Sequence, residues 1–307
     1  MDRSQPGKPF FLTASATLQA SAEGAGNVEA LRNPYPVPVE VVEIRWQLRN
    51  TTSVAATEVI TGAAVGCQLM LGAHPLTQAF VPVNCFGPAR NWASEPTSGT
   101  VSSVNLNFLD FSFRPSTPIL LPGKALLAPK FRHTGLRDTE IVVRISYVCR
   151  VAAKNRKKIV LPYVAAFTSK AFSLFSTSAD SDQSTEADLV NALDVPIDVE
   201  RFCGRLTHYE TGFASLQYRE RAPDAALRLL RVRMESSMGE TPIRDFATFG
   251  QVFYYHTKTW EVRHQLPPKA FYSVTVDKLA VAVDPSLPAN THAHISLVGS
   301  REIGRVS

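Results

Sequence analysis

Hydrophobic and polar residues alternate in several short segments of the chain. Positions 42, 44, 46 and 48 are apolar, whereas positions 43, 45, 47 and 49 are charged or carry an amide. A period of two is typical of a β-strand that buries one face and exposes the other. The alternation returns over 141–147 and 230–235, and turn signals containing proline separate the segments. The pattern predicts an all-β sandwich or barrel without long amphipathic helices.

Three short segments occur twice, in the same order along the chain. The pairs are Val37–Val41 with Val195–Val199, Gly72–Leu76 with Gly239–Ile243, and Leu121–Ala125 with Leu266–Ala270. The separation between partners differs from pair to pair, as expected when loops of different length join equivalent strands. A repeat this long is not that of a solenoid or propeller, whose period is about 20–50 residues. The 307 residues suffice for two domains of about 150 residues each, and we predict two similar domains in tandem.

The duplication divides the chain into four predicted regions. Residues 1–36 are expected to form an N-terminal arm, 37–151 the first domain, 152–194 a connector and 195–307 the second domain. Inside the connector, the segment 186–193 is interpreted as a short helix capped by Ser184 or Thr185. The alternation also predicts the core. Its predicted members are Ile44, Trp46 and Phe113 in the first domain and Val232, Val276 and Leu297 in the second.

Composition narrows the class of protein. Apolar residues make up 45% of the chain and charged residues 19%, which is typical of a globular protein. The net charge of +5 permits contact with nucleic acid or anionic lipid but does not require it. The four cysteines form no CxxC pair and have no zinc spacing, so we interpret them as core thiols compatible with a reducing cytoplasm. The longest apolar stretch, over 159–167, is too short to span a bilayer.

The sequence contains none of the common catalytic motifs. There is no GxSxG elbow, P-loop, GxGxxG after a strand or HExxH. His292 and His294 would lie on one side of a strand, which can suit a metal, and double-domain cupin enzymes use such a pair. The glycine-led cupin spacing is absent, so edge or loop histidines are the preferred interpretation. We predict no catalytic residue, no cofactor and no bound metal.

The duplicated segments and the chain length together resemble one family. The chain is similar to the double jelly-roll major capsid proteins of tailless icosahedral bacteriophages, many of which contain an internal membrane. The resemblance extends from about Asn33 to Ile303 and rests on the three repeated segment pairs. It implies an all-β fold of two tandem eight-stranded jelly-roll sandwiches, over 37–151 and 195–307. It also implies homotrimers with six barrels, which form pseudo-hexagonal tiles of a virion shell.

The family has no catalytic residues, so the resemblance implies a structural protein and not an enzyme. Its expected partners are itself, neighbouring trimers, penton or minor capsid proteins, and the internal membrane lipid or the genome. Its expected location is the virion, after assembly in the host cytoplasm. The alternative is a tandem β-sandwich module that binds carbohydrate or a receptor, as in a phage spike. Such a module would cluster exposed aromatic residues at loop tips or on one concave face.

Two groups of residues are candidates for contacts inside a particle. The first is a basic cluster that is expected to face the interior, where genome phosphates and many lipid head groups are negative; its members are Lys154, Arg156, Lys157 and Lys158. The second is an N-terminal tether of Phe10, Phe11 and Leu12, which would bind neighbouring subunits or lipid. The alternatives are that the cluster is a solvated loop and that the N-terminal segment pairs with its own sheet.

Overall fold

The chain folds into two antiparallel β-sandwiches, as the period-two pattern predicts. The computed structural model describes residues 8–19, 22–50, 65–86, 108–133, 140–152, 158–174, 184–210, 217–219, 224–253, 259–279 and 290–305. Each sandwich consists of two facing sheets. None of the helices in these ranges is long and apolar enough to cross a membrane.

The first sandwich contains ten strands. They are β1 (Phe10–Leu18), β2 (Glu23–Gly24), β3 (Val39–Asn50), β4 (Val65–Leu71), β5 (His74–Pro75), β6 (Val81–Pro82), β7 (Phe108–Phe113), β8 (Ile119–Leu121), β9 (Leu127–His133) and β10 (Ile141–Val151). One sheet has the order β1-β10-β3-β7, and β8 continues β7 along β3. The other has the order β2-β9-β4-β5, and β6 also pairs with β4. Short 3-10 helices cover Val28–Leu31 and Val83–Cys85.

The second sandwich repeats this order. Its elements are β11 (Lys158–Thr168), β12 (Thr185–Val190), β13 (Ile197–Glu210), β14 (Gln217–Arg219), α1 (Asp224–Leu229), β15 (Leu230–Ser236), β16 (Ile243–Thr248), α2 (Phe249–Val252), β17 (Thr259–Leu266), β18 (Phe271–Lys278) and β19 (Asn290–Arg305). One sheet has the order β11-β19-β13-β14, with β17 also paired to β13. The other has the order β12-β18-β15-β16. Strand by strand, β1 corresponds to β11, β3 to β13, β9 to β18 and β10 to β19.

This strand order is that of a jelly roll, in which two four-stranded sheets face each other. The short pairs β5/β6 and β7/β8 each take one strand position, so each sandwich has eight positions. The predicted fold class, two tandem eight-stranded jelly rolls, is therefore confirmed.

The hydrogen-bond register confirms that the two jelly rolls are equivalent residue by residue. Val39 lies opposite Leu121, and Ile197 lies opposite Leu266, as the repeated segments predict. Both copies also carry a β-bulge at the same place. The extra residue is Val42 in the first copy and Glu200 in the second. A β-bulge redirects its strand and is a specific feature of a fold. Its presence at the same place in both copies is therefore independent support for the equivalence of the two jelly rolls.

Positive φ values recur in the turns of both copies. Gly72 and Gly239 lie in turns that join equivalent strands and have φ of 59° and 86°, where a side chain would be strained, although the turn of the second copy is longer. Lys124 and Lys269 adopt φ of 60° and 62° in the two Leu-Pro-x-Lys-Ala turns. A lysine in the left-handed region is uncommon. Its occurrence twice, at equivalent positions, shows that the turn itself is conserved between the copies.

Each jelly roll has its own apolar core. All six predicted core residues are buried, from 0% to 2% exposed, which confirms the period-two prediction. The first core also includes Leu161, Val164 and Val298, which belong to strands of the second jelly roll. The two cores therefore meet across the junction, and the jelly rolls are not joined by a linker alone.

Two predicted regions need correction. The N-terminal arm contains β1, which pairs with β10 along its whole length. Leu12, Ala14, Ala16 and Leu18 are buried and alternate with exposed polar residues, a period-two pattern built from small side chains. The first jelly roll therefore begins at β1 and not at residue 37.

The predicted helix in the connector is also wrong. Residues 185–190 form β12, which pairs with β18. Glu186 and Asp188 are exposed, whereas Leu189 is buried, so the segment alternates as a strand does. Pairing with the sheet overrides the local helix preference of these residues. The connector 152–194 therefore contains β11 and β12, both strands of the second jelly roll.

Candidate assembly interface

The edge of β11 is covered by a segment of the first jelly roll. The Val164 N–H donates to the Leu76 carbonyl at 2.9 Å, and the Gln78 N–H donates to the Val164 carbonyl at 2.9 Å. Thr77 forms a parallel bridge with Val164 between these two bonds. Val164 and Thr77 are each 1% exposed. One jelly roll thus adds a short parallel strand to the edge of the other.

Side chains of the second jelly roll reinforce this junction. The Arg205 guanidinium donates to the Asn84 carbonyl at 2.5 Å, and the Arg301 guanidinium donates to the Pro75 carbonyl at 3.0 Å. Both arginines are buried, and a buried cation is stable only when it has such acceptors. The Ser296 hydroxyl donates to the Cys85 carbonyl at 3.1 Å. These bonds fix the angle between the jelly rolls.

A buried asparagine closes each jelly roll at the same place. Asn33 directs its Nδ2 at the carbonyls of Val37, Leu121 and Pro122, at 2.9, 3.2 and 2.9 Å. Its Oδ1 accepts from the Tyr35 N–H at 3.0 Å. The side chain joins the start of β3 to the end of β8, and it is 0% exposed. It gives a donor to all three carbonyls at this closure, and the Pro122 carbonyl also accepts from the Ala125 N–H at 3.1 Å.

Asn191 does the same in the second jelly roll. Its Nδ2 is 3.0 Å from the carbonyls of Val195, Leu266 and Pro267, and its Oδ1 accepts from the Leu193 N–H at 3.1 Å. Neither asparagine is predicted as a structural residue by the sequence patterns. The available signal was their spacing, since each lies four residues before the first residue of the repeated Val-Pro segment.

The three residues of the N-terminal tether do not share one environment. Leu12 is buried in the core, and Phe10 packs edge-on against Tyr35 at 5.4 Å between ring centroids. Phe11 is 57% exposed, and the Arg45 guanidinium lies 5.6 Å from its ring centroid. The segment pairs with its own sheet, as the alternative interpretation proposed. Phe11 alone remains available for a contact outside the chain.

Only one member of the basic cluster falls in the described ranges. Lys154, Arg156 and Lys157 lie outside the described residues. Lys158 begins β11, is 59% exposed in its side chain and forms an ion pair with Glu302 at 2.8 Å. An exposed pair of this kind contributes about 0–1 kcal/mol to stability, so it would not prevent Lys158 from meeting a polyanion.

His292 and His294 are held by hydrogen bonds between β19 and the segment around the end of β11. Nδ1 of His294 lies 2.9 Å from the Thr168 hydroxyl, and Nδ1 of His292 lies 3.1 Å from the Ser169 carbonyl. Burial, with smaller contributions from His292 and Arg205, lowers the pKa of His294 to about 3. Across the described part of the chain, no three His, Cys, Asp or Glu residues group as metal ligands do.

No protein-family model and no curated protein matches the chain. Solved structures do match it, and three of them follow. The major capsid protein P2 from bacteriophage PM2 matches at 8% identity and a TM-score of 0.39, over 96% of this chain and 98% of that one. A structure of the Sputnik virophage matches at 8% and 0.31, over 98% and 89%. Dimeric latent PorU from Porphyromonas gingivalis matches at 10% and 0.24, over 88% and 25%. All three TM-scores are below 0.5, so they carry no conclusion about function.

Proposed function

We propose that this chain is the major capsid protein of an icosahedral bacteriophage and assembles as homotrimers into the virion shell. The observation that carries the proposal is the duplicated jelly roll with equivalent register, bulge and asparagine in both copies. Three such chains present six units of the same fold. Six similar units can pack as a pseudo-hexagon, which is the shape that tiles a flat shell facet. A trimer therefore achieves hexagonal packing with one kind of chain.

The junction between the jelly rolls supports a tile and not a pair of flexible binding modules. Two main-chain hydrogen bonds join Val164 to the segment Leu76–Gln78, and the apolar core continues across the junction. Modules that work independently are usually joined by exposed linkers with few crossing contacts. A shell tile instead needs a fixed angle between its units, because an error at each junction would accumulate around the particle.

The exposed surface gives no support to the carbohydrate- or receptor-binding alternative. Among the residues described, the exposed large hydrophobic side chains are Phe11, Val37, Val195 and Met238, so only one is aromatic. Trp46 is buried and Trp260 packs against Phe202 at 5.6 Å between ring centroids. Trp92 lies outside the described residues. Stacking on sugars needs several exposed aromatic rings on one surface, and the described surface offers no such cluster.

Each trimer would contact neighbouring trimers and penton or minor capsid proteins, and it would act without enzymatic activity or a cofactor. Its basic cluster would face internal membrane lipid or the genome. Assembly would take place in the host cytoplasm, and the buried thiols of Cys67 and Cys149, whose pKa burial raises to about 12, would stay unreactive there. The assembled protein would reside in the virion.

Sedimentation analysis of the purified chain at high micromolar concentration tests the proposal. We expect a trimer, or larger shells built from trimers, because interfaces between shell subunits are extensive. A monomer at every concentration tested, with no particle in the source of the protein, would overturn the capsid assignment and favour the binding module.

A further inference from the structure

The internal duplication identifies which residue of the first jelly roll corresponds to Val164. Val164 lies opposite Val298 in the β11–β19 pair, and Phe11 lies opposite Val148 in the β1–β10 pair. Val148 and Val298 each lie directly beside the duplicated β-bulge, so they are equivalent. Phe11 is therefore the counterpart of Val164.

These two counterparts differ sharply in exposure. Val164 is 1% exposed because the segment Leu76–Gln78 covers the edge of β11. Phe11 is 57% exposed, and β1 is the last strand of its sheet in the part of the chain that the structure describes. An open strand edge beside an exposed aromatic ring is a template for pairing with another chain. Among the described residues, the position that is filled within the chain in one copy is thus open in the other.

Within the described ranges, the chain covers the far end of β1. Gly26, at φ of 64°, lies so close that an added Cβ would approach the Ser15 carbonyl oxygen to 2.2 Å. This contact shields the edge near Ser15 and Ala16. Phe11 lies four residues before Ser15 in β1. The outer edge of β1 at Phe11 corresponds to the edge of β11 that the segment Leu76–Gln78 covers.

The second jelly roll contains the counterpart of the covering segment. Leu76 bonds to Leu69 of β4, and Ile243 lies opposite Met234 of β15. Leu69 and Met234 are equivalent, because they pair with Pro129 and Val274 in equivalent strands. Leu76–Gln78 thus corresponds to Ile243–Asp245. Arg244 and Asp245 are exposed, whereas Thr77, the counterpart of Arg244, is buried at the junction.

We propose that Ile243–Asp245 of one copy pairs with β1 of the next copy at Phe11, repeating the junction found within each chain. The Phe11 N–H would donate to the Ile243 carbonyl, and the Asp245 N–H would donate to the Phe11 carbonyl. The contact joins two different surfaces, so it is heterologous and closes only as a ring. It rests on the proposed function in one respect, namely that the partner is a second copy within the trimer. Beyond the proposed function, the contact identifies the two surfaces that meet and the direction in which one copy follows the next.

A pair of cysteine substitutions tests the contact. In the chain carrying both Phe11→Cys and Arg244→Cys, the two thiols would face each other across a parallel bridge, at a spacing that allows a disulfide. We expect mild oxidation to give disulfide-linked dimers and trimers on a non-reducing gel, and reductant to reverse them. The two single variants are the matched controls and should remain uncrosslinked. Crosslinking of Phe11→Cys alone would indicate a face-to-face contact and overturn the proposal.

A charge substitution gives a second test that does not need a disulfide. Phe11→Asp should weaken trimer association at least about tenfold, since aromatic side chains at the centre of an interface often dominate its affinity. Thermal unfolding of the monomer should stay unchanged because Phe11 is exposed. Val195→Asp is the matched control, since Val195 is 42% exposed and outside the proposed contact. Unchanged association of Phe11→Asp would contradict the proposal.

Sedimentation separates failure of this contact from failure of the proposed function. If the doubly substituted chain forms trimers normally but shows no crosslink between positions 11 and 244, the contact is overturned and the capsid role is left intact. A chain that is monomeric before and after oxidation would overturn both.

Discussion

Asn33 and Asn191 occupy the same position in the two jelly rolls and make the same four hydrogen bonds. Each side chain receives one main-chain N–H at its Oδ1 and directs its Nδ2 at three main-chain carbonyls. Both are fully buried. The two copies share almost no sequence outside short segments, yet they keep this polar contact. In each jelly roll, this contact holds the start of the third strand, β3 or β13, against the turn that precedes the last two strands.

Removal of either asparagine should destabilise its own jelly roll. Asn33→Ala or Asn191→Ala removes four hydrogen bonds of a fully buried side chain and takes the acceptor from the Tyr35 or Leu193 N–H, and we expect a loss of about 1–3 kcal/mol in the free energy of unfolding. Chemical denaturation measures this loss. Asn27→Ala is the control, because Asn27 is exposed and its side chain makes no capping bond. A loss no larger than that of the control would show that the duplicated contact is not structurally important.

Truncation of a predicted core residue should also be costly. Ile44→Ala and Val232→Ala remove fully buried apolar volume, and we expect Ile44→Ala to lower the free energy of unfolding by about 2–5 kcal/mol, with a smaller loss for the smaller valine. Thr17→Ala, on the exposed face of β1, is the control. Thermal stability that does not change in Ile44→Ala would contradict the burial derived from the period-two pattern.

Acidic pH should destabilise the second jelly roll through His294. Burial lowers the pKa of His294 to about 3, below its ordinary value of 6.5, so the unfolded chain binds a proton before the folded chain does. Stability is therefore fully present above pH 6.5 and falls as the pH drops from 6.5 toward 3. At pH 5 the loss should be about 2 kcal/mol.

The same denaturation series in His294→Gln should have a smaller slope between about pH 6.5 and pH 5. His74→Gln is the control, because His74 is exposed and lies in the first jelly roll. An equal slope in the wild-type protein and His294→Gln would show that His294 does not control the acid response.

Loss of the basic cluster should reduce the binding of genome or lipid inside the particle and leave trimer formation unchanged. Each lysine or arginine near an anionic surface gains about 1 kcal/mol, so the fourfold substitution of Lys154, Arg156, Lys157 and Lys158 by Gln should impair association with genome or lipid. Trimers should form as before. Co-purified nucleic acid and lipid, measured beside trimer yield, test this expectation. Normal infectious particles, or a density map with Lys157 on the outer surface, would rule out the interior orientation.

The strongest sequence signals predicted the fold because they report on burial. Ile44 and Trp46 alternate with charged residues, and a strand that buries one face cannot shift register without exposing that face. The turn segments were recognisable for a related reason. Gly72 and Gly239 meet a demand for positive φ that few residues satisfy, so the sequence there is restricted in both copies.

Other elements were missed because their signal depends on distant partners. Ala14 and Ala16 of β1 are small, so their alternation with polar residues resembles a loop until β10 is placed beside it. Glu186 and Asp188 of β12 suit a helix locally, and only pairing with β18 makes them a strand.

The candidate interface was hidden from the sequence for the same reason. Asn33 and Asn191 are polar and suit turns, and their burial depends on two carbonyls from a remote turn that meet one carbonyl four residues further along the chain. The exposed edge at Phe11 likewise acquires meaning only from its filled counterpart at Val164.

Electron microscopy of the purified chain tests the central claim most directly. The duplicated jelly roll predicts trimers that appear in projection as hexagonal rings of six similar densities, alone or tiled into closed shells. In a reconstruction, junctions within a chain and between chains should look alike, with Ile243–Asp245 against β1 of the next copy. Isolated two-lobed particles, or assemblies in which the two jelly rolls do not alternate around a ring, would contradict the account.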